Sequence, residues 1–354
     1  ELVTGLDLVA WQIRVAAGEP LPLTQDQVQL DGAAIEVRLY AEDPARQFLP
    51  QTGPVLRWRP ASGEGVRVDH GIATGGEVSP HYDPMVAKIM AWGPTREDAR
   101  RRLVRALEDS VLLGVTSNKR FLLAILRHEV FAAGRFGTAF IADVLGEHAS
   151  LQPAQASTAE LALAGALLHA RDGSLVRPLR AGLLSARPAL LDDGVEKRAV
   201  AIEEVTAAEG RRFHARIGEQ AHTVALLAQD GGRWRVEIDG VRHDIDALVD
   251  GPRVLLDTGQ GSLAIEDVAL APPAAAEGPG SGLLKAPMDG AIVAVNVAVG
   301  DRVEKGQLLL VLEAMKMQHP VHADVTGVVQ SINVSTGTQV KARHLLATLQ
   351  ADAG

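Results

Sequence analysis

The sequence predicts a multi-domain α+β chain, because two linker-like stretches separate segments with different hydrophobic patterns. Ala271 to Gly282 is rich in proline, alanine and glycine and has no large apolar residue, which is typical of an extended tether. A weaker break lies at Ala149 to Glu160. At roughly 100–200 residues per domain, a chain of 354 residues has room for three domains. We place them at 1–148, 155–270 and 283–350, with 271–282 as the linker.

Composition excludes several classes of protein. The net charge of −9 argues against a nucleic-acid-binding protein, which needs a basic face. The absence of cysteine removes disulfides, thiolate nucleophiles, thiolate zinc sites and Fe–S clusters. No apolar run approaches the ~18 residues of a membrane span, and no signal peptide is visible. We therefore expect no nucleic-acid partner and no membrane partner.

The first segment has a mixed α/β pattern. Its predicted elements are a helix over Asp7–Ala17, a strand over 34–40, a helix from Thr95 to Leu113 and a helix over 117–127. Thr95 followed by Asp98 is typical of a helix N-terminus, and Leu103, Leu107 and Val111 supply the apolar stripe. Because the chain begins at Glu1 without a methionine, in a stretch that reads as helix from Leu2, we expect a fragment that lacks its N-terminal portion.

The middle segment predicts one helix followed by many short strands. Residues 160–171 form a continuous apolar helical run. From Ala199 onward, short apolar runs end at glycine-containing turns about every ten residues, which favours an antiparallel meander, sandwich or barrel. His214, His222 and His243 fall on different strands and are expected to be structural or exposed. The segment shows no catalytic constellation, and a docking role suits it better.

The last segment repeats itself at a fixed offset. Ala286 and Ala323 match, as do Gly290 and Gly327, and the same spacing recurs in further pairs: Asn296 and Asn333, Gly300 and Gly337, Val303 and Val340, Leu308 and Leu345. A constant offset indicates two copies of one supersecondary unit. We predict a small flattened β-barrel with pseudo-twofold symmetry, since neither copy could bury its apolar face alone.

Lys316 lies in the connection between the two copies. It is the only cation of the stretch Leu312 to Gln318. A lysine amine can form an amide with a carboxylate-bearing cofactor. This lysine is expected on a tight turn in a domain that follows a Pro/Ala linker, and its long side chain adds reach. The plainer alternative is a solvated turn lysine between two methionines that cap the barrel. The repeat and the linker favour the cofactor-bearing lysine.

The segment Ala314-Met315-Lys316-Met317 resembles the attachment motif of biotin carboxyl carrier domains. The resemblance implies that Lys316 carries biotin, and that Met315 and Met317 help a biotin protein ligase to recognise the turn. Ala286-Pro287-Met288 and Gly290 also match the carrier pattern. Lipoyl domains share this fold but usually have Asp-Lys-Ala at the turn, so the methionines favour biotin over lipoate.

Residues 1–148 resemble the C-terminal part of a biotin carboxylase. The resemblance is carried by five collinear stretches: Val3–Val9, Ala34–Pro44, Phe48–Pro50, Gly65–Asp69 and Tyr82–Lys88. It implies an ATP-grasp fold, ATP with Mg²⁺ or Mn²⁺, and bicarbonate as substrate. It also implies that Arg67 faces biotin and stabilises its enolate-like anion. The family's ATP and metal residues match no position here. We therefore predict no metal ligands in this chain and no carboxylation by it alone.

The middle segment resembles, in architecture only, the domain that docks the α subunits of acyl-CoA carboxylases on a carboxyltransferase β subunit. Together the three resemblances imply the α subunit of a propionyl-, 3-methylcrotonyl- or geranyl-CoA carboxylase. The 3-methylcrotonyl- and geranyl-CoA types are favoured. They also imply an α6β6-type hetero-oligomer and a cytoplasmic location, or the mitochondrial matrix in a eukaryote. The alternatives are a non-catalytic lipoyl-type carrier or scaffold, and a biotin enzyme that uses pyruvate or urea as acceptor.

Overall fold

The computed structural model describes residues 1–170, 187–205, 210–271, 281–315 and 317–351. Within these ranges the chain folds as three β-rich units with few helices, which confirms the multi-domain α+β class. No helix in these ranges combines the length and the apolar character needed to cross a membrane.

The first unit is an antiparallel sheet covered by helices. Its helices are α1 (Leu8–Ala16), α2 (Arg96–Asp109), α3 (Lys119–Arg127), α4 (Glu129–Ala132) and α5 (Phe140–Leu145). Its strands are β1 (Ala33–Tyr40), β2 (Glu42–Asp43), β3 (Leu49–Pro50), β4 (Gly53–Pro54), β5 (Arg57–Arg59), β6 (Val66–His70), β7 (Glu77–Val78), β8 (Met85–Gly93) and β9 (Val111–Leu113). The main sheet has the order β1-β8-β6, and α2 packs against it. Leu103 and Leu107 of α2 are fully buried, as the predicted stripe requires.

The structure corrects the predicted end of the helix that starts after Thr95. The helix stops at Asp109, and Val111–Leu113 forms β9, which pairs with β5. All three β9 residues are buried. The apolar side chain of Val111 satisfies the helical stripe, but its burial between β5 and the middle unit favours the extended backbone. The N-terminal helix also starts later than Leu2, at Leu8, after the Asp7 cap.

The middle unit is a closed antiparallel barrel built around α6 (Thr158–His169). Its strands are β10 (Arg187–Asp192), β11 (Lys197–Val205), β12 (Arg211–Ile217), β13 (Gln220–Asp230), β14 (Arg233–Ile238), β15 (Val241–Asp250), β16 (Arg253–Asp257) and β17 (Ser262–Asp267), and β10 pairs with β17 to close it. All seven residues from Leu161 to Leu167 are buried. A helix that is apolar on every side is stable only when it is enclosed, and the barrel encloses this one.

Polar side chains fix the N-terminal end of α6. Ser157 and Glu160 form a reciprocal capping box at its start. His222 holds the helix to the barrel, since one ring nitrogen lies 2.9 Å from the Thr158 hydroxyl and the other 2.7 Å from Asp239. This contact gives His222 a structural position, as the sequence predicts.

The last unit consists of two four-stranded sheets related by the internal repeat. Its strands are β18 (Leu283–Lys285), β19 (Gly290–Val295), β20 (Arg302–Val303), β21 (Leu308–Ala314), β22 (Met317–His322), β23 (Gly327–Ile332), β24 (Gln339–Val340) and β25 (Leu345–Ala351). The sheet orders are β18-β25-β23-β20 and β22-β21-β19-β24. The repeat maps β19, β20 and β21 onto β23, β24 and β25, so the pseudo-twofold axis exchanges the two sheets.

Backbone hydrogen bonds obey the same symmetry. Asn296 N–H donates to the Leu309 carbonyl at 2.8 Å, and its counterpart Asn333 N–H donates to the Leu346 carbonyl at 2.8 Å. Each copy contributes strands to both sheets, so neither copy holds its own core. The shared sheets and these hydrogen bonds therefore agree with the prediction that neither copy could bury its apolar face alone.

We expect Gly165→Ala to destabilise the barrel. A Cβ at this position in α6 would lie 2.2 Å from Ile202 Cδ1, inside a closed core. Overpacking of this kind costs about 1–3 kcal/mol. Ile202→Val removes the clashing methyl, so the double variant should unfold at a higher temperature than additivity of the two single changes predicts. Thermal unfolding measures this. Gly71→Ala, where no atom lies within 4 Å, is the control; a wild-type melting temperature in Gly165→Ala would contradict the enclosed-helix packing.

Candidate functional site

The motif-bearing turn is the tip of the β21–β22 hairpin. Ala314 and Met317 form the last cross-strand pair of the hairpin, and Met315 directly follows β21. Met315 has a φ of +49°, the left-handed conformation that two-residue hairpin turns require. Lys316 itself, and the side chain of Met317, lie outside the described residues. The pairing of Ala314 with Met317 agrees with the tight turn expected from the sequence.

Close packing beneath the turn explains two small residues of the motif region. Ala314 is 3% exposed, and a Cβ added to Gly290 would lie 3.2 Å from the Ala314 Cβ and 2.6 Å from the Glu313 carbonyl oxygen. The end of β21 therefore sits directly on β19 with room only for these side chains. This contact fixes the position from which the turn projects.

Met315 joins the turn to the first unit. Its side chain is 5% exposed and belongs to the same buried apolar cluster as Leu39, Val78 and Val86. Its backbone N–H donates a hydrogen bond to the Pro80 carbonyl at 3.2 Å. From the other side, Leu49 of β3 packs against the core of the last unit. The hairpin tip is thus docked on the carboxylase-like unit, a contact the sequence analysis did not predict.

Arg67 lies on β6, in an acidic setting. Its Nε donates to Asp69 at 2.9 Å and its Nη1 to Glu1 at 2.6 Å, and its side chain is 44% exposed. The hydrogen bond that Arg67 donates to Asp69, followed by the one that it donates to Glu1, holds the pKa of the Arg67 guanidinium above its usual value. Arg67 is therefore a permanent cation. Among the described residues, no hydrogen bond or ion pair connects it with Ala314 or Met315.

Glu42, on β2, is a second titratable group near the docked hairpin. It pairs with Pro50 of β3, the strand whose Leu49 contacts the last unit. Burial, and then the negative charge of Asp83, raise the pKa of Glu42 to about 7. No signal in the sequence marks this residue, because its desolvation arises from the packing of β2 and β3.

The described ranges contain no group of three or more His, Cys, Asp or Glu side chains that could hold a metal ion.

Two family models match the chain. Residues 36–143 match the biotin carboxylase C-terminal domain, and residues 282–349 match the family described as "biotin-requiring enzyme". The chain therefore contains a biotin carboxylase C-terminal domain and a biotin/lipoyl domain, called the carrier domain below.

Curated relatives match nearly the whole chain. The propionyl-CoA carboxylase alpha chain of Ruegeria pomeroyi is 36% identical over 92% of this chain and 53% of its own length. The methylcrotonoyl-CoA carboxylase subunit alpha of Mus musculus is 34% identical over 92% of this chain and 48% of its own length. This chain spans about half the length of these relatives. Among solved structures, the biotin carboxylase subunit of a pyruvate carboxylase is 40% identical, with a TM-score of 0.42, over 44% of this chain and 34% of that one.

We expect Glu42 to make stability pH-dependent near neutrality. Its pKa is about 7 in the folded protein, against an ordinary value of 4.5. Its contribution to stability is therefore complete below about pH 4.5 and is lost as the pH rises through about 7. Glu42→Gln should flatten this part of the dependence of the free energy of unfolding on pH, measured by urea titration at several pH values.

The matched control is Glu64→Gln, whose carboxylate is 88% exposed. This variant should retain the wild-type pH dependence. A Glu42→Gln profile that parallels wild type between pH 5 and 8 would contradict the assignment.

Proposed function

We propose that this chain forms the biotin-handling part of the α subunit of a biotin-dependent acyl-CoA carboxylase, because it contains a biotin carboxylase C-terminal domain and a carrier domain. The docking of the carrier hairpin on the carboxylase domain through Met315 and Pro80 carries this proposal. Such a contact brings Met315, a residue of the attachment motif, to the domain to which we assign carboxylation. The alpha chains among the curated relatives support the same assignment.

Lys316 is the residue that we assign to biotin. The ε-amine forms an amide with the biotin carboxylate, and biotin, when bound, supplies the nitrogen that accepts a carboxyl group. The hairpin fits this role, because the end of β21, which precedes the motif lysine in the sequence, is held in place by the packing of Gly290 and Ala314. Met315 orients the turn toward the carboxylase domain. A biotin protein ligase is the partner that attaches the cofactor.

Arg67 is the residue that we assign to charge stabilisation. A fixed guanidinium lowers the barrier where negative charge develops on the acceptor, without transferring a proton. Asp69 orients the Arg67 side chain through its Nε, while the exposed part of the guanidinium stays available to a ligand. ATP, bicarbonate and Mg²⁺ or Mn²⁺ belong to the ATP-grasp part of such enzymes, and we assign none of the described residues to them.

The carboxyl group then passes to an acyl-CoA on a separate carboxyltransferase β subunit. The middle barrel is the surface we assign to β-subunit docking, in a hetero-oligomer of α6β6 type. 3-Methylcrotonyl- or geranyl-CoA are the acceptors we favour, with propionyl-CoA as the alternative that the Ruegeria relative represents. The need for ATP and CoA places the enzyme in the cytoplasm or the mitochondrial matrix. Co-purification with the β subunit, followed by assays on the three acyl-CoAs, tests the acceptor.

Biotin should be attached at Lys316 and at no other lysine. Co-expression with an active biotin protein ligase should give a strong streptavidin signal, which Lys316→Arg abolishes because a guanidinium does not form the amide. Lys305→Arg, at an exposed turn of the same domain, is the matched control and should keep the signal. Mass analysis of the Lys316 peptide separates biotin from lipoate. A lipoyl mass, or a signal that survives in Lys316→Arg, would overturn the assignment.

Arg67→Ser in the full-length subunit should lower the rate of biotin carboxylation by roughly 10²–10³-fold, the usual effect of removing one charge-stabilising donor. Arg67→Lys should restore only part of the rate, since an ammonium lacks the fork of donors. Bicarbonate-dependent ATP cleavage in the presence of free biotin measures this effect. Arg38→Ser, an exposed arginine on β1 of the same sheet, is the control. Equal rates for Arg67→Ser and Arg38→Ser would remove Arg67 from the mechanism.

A further inference from the structure

Two buried carboxylates of the barrel face the carboxylase domain. Asp246 on β15 and Asp257 on β16 are directly opposite each other in the strand register, and each is 3% exposed. Adjacent buried carboxylates repel each other and lose their hydration, so they are stable only when cations compensate them. Within the barrel itself, the charged pairs of β14 and β15, such as Arg235 and Asp244, lie on the exposed surface.

The compensating cations all come from the first domain. Arg57 Nε lies 2.9 Å from Asp246 Oδ1, and Arg59 Nη2 lies 2.6 Å from Asp246 Oδ2. The Lys119 ammonium, itself 3% exposed, lies 3.0 Å from both oxygens of Asp257 and 2.7 Å from the Ser110 carbonyl. We call Arg57, Arg59, Lys119, Asp246 and Asp257 the interdomain charge cluster.

A glycine in a barrel turn leaves room for one of these cations. Arg57 Nη1 also donates to the carbonyl of Gly231, in the β13–β14 turn. A Cβ at the next residue, Gly232, would lie 2.0 Å from the same Nη1 atom. Gly232 therefore leaves the space that the Arg57 guanidinium occupies. In the sequence this glycine only marks the end of a strand. In the structure it also allows the contact between the two domains.

The two domains also meet through apolar side chains. Val111 and Leu113 of β9 share a buried cluster with Leu255 of β16 and with Leu248. Separation of the two domains would therefore expose apolar surface and leave three cations and two carboxylates without their ionic partners. Removal of one member of a buried pair is strongly destabilising for the same reason.

We propose that the interdomain charge cluster locks the barrel to the carboxylase domain in one orientation, so that the two move as a single body. If the proposed function holds, this lock sets the position of the barrel's docking surface relative to the carboxylation site and leaves movement between active sites to the carrier domain. The lock itself rests on the contacts above and is tested without any assay of activity.

The absence of cysteine from the sequence makes a direct measurement possible. Arg101→Cys on α2 and Glu219→Cys in the β12–β13 turn are exposed positions that accept nitroxide spin labels. Pulsed electron-spin distance measurements on the doubly labelled chain should give one narrow distribution. In Asp246→Asn/Asp257→Asn the narrow distribution should be lost, while circular dichroism shows that the strands remain folded.

A second variant keeps the barrel sequence intact. Arg57→Gln/Arg59→Gln changes only first-domain residues and should also broaden the distribution. Asp244→Asn, which removes a surface pair within the barrel, is the control and should leave it narrow. A broad distance distribution in the labelled chain without charge-cluster substitutions would overturn the proposed lock, and so would a narrow one in both charge-cluster variants. Neither outcome depends on whether Lys316 carries biotin, so the failure of the lock and the failure of the proposed function are distinguishable.

Discussion

The two-sheet barrel of the carrier domain fixes the strand end that precedes Lys316, and the role that we propose for this lysine depends on that constraint. The last cross-strand pair, Ala314 and Met317, closes the turn, and β21 presses against Gly290 so closely that no larger side chain fits. The pseudo-twofold exchange of the two sheets means that both copies of the repeat are needed to hold β21 in place.

The carboxylase domain holds its two neighbours by different physical means. The barrel is attached through buried ion pairs, and loss of one partner from such a pair costs about 3–5 kcal/mol. The carrier domain contacts the carboxylase domain through the Met315 side chain, one backbone hydrogen bond to Pro80 and the packing of Leu49 against the carrier core. Burial of a methionine is worth about 1.5–3 kcal/mol, and a hydrogen bond about 0.5–1.5 kcal/mol. Charge therefore dominates the contact with the barrel, which we propose to dock a partner, and apolar packing dominates the contact with the carrier domain, which we propose to move.

The sequence predicted local elements well where one pattern dominated. The apolar run of α6, the short strands of the barrel and the repeat of the carrier all appear where they were expected. The prediction failed at Val111 to Leu113, because this short apolar run fits a helical stripe and a buried strand equally well. Only the neighbours of β9, namely β5 and the barrel, decide between the two.

The sequence by itself determined the class of fold, the repeat and the identity of the motif around Lys316, because spacing and residue type are local properties of the chain. Tertiary structure alone decided that Met315 is buried against Pro80, that burial beside Asp83 raises the pKa of Glu42, and that Asp246 and Asp257 meet Arg57, Arg59 and Lys119. These contacts join residues that are more than 40 positions apart in the chain. Their energies come from desolvation and charge proximity, which exist only after the domains have packed together.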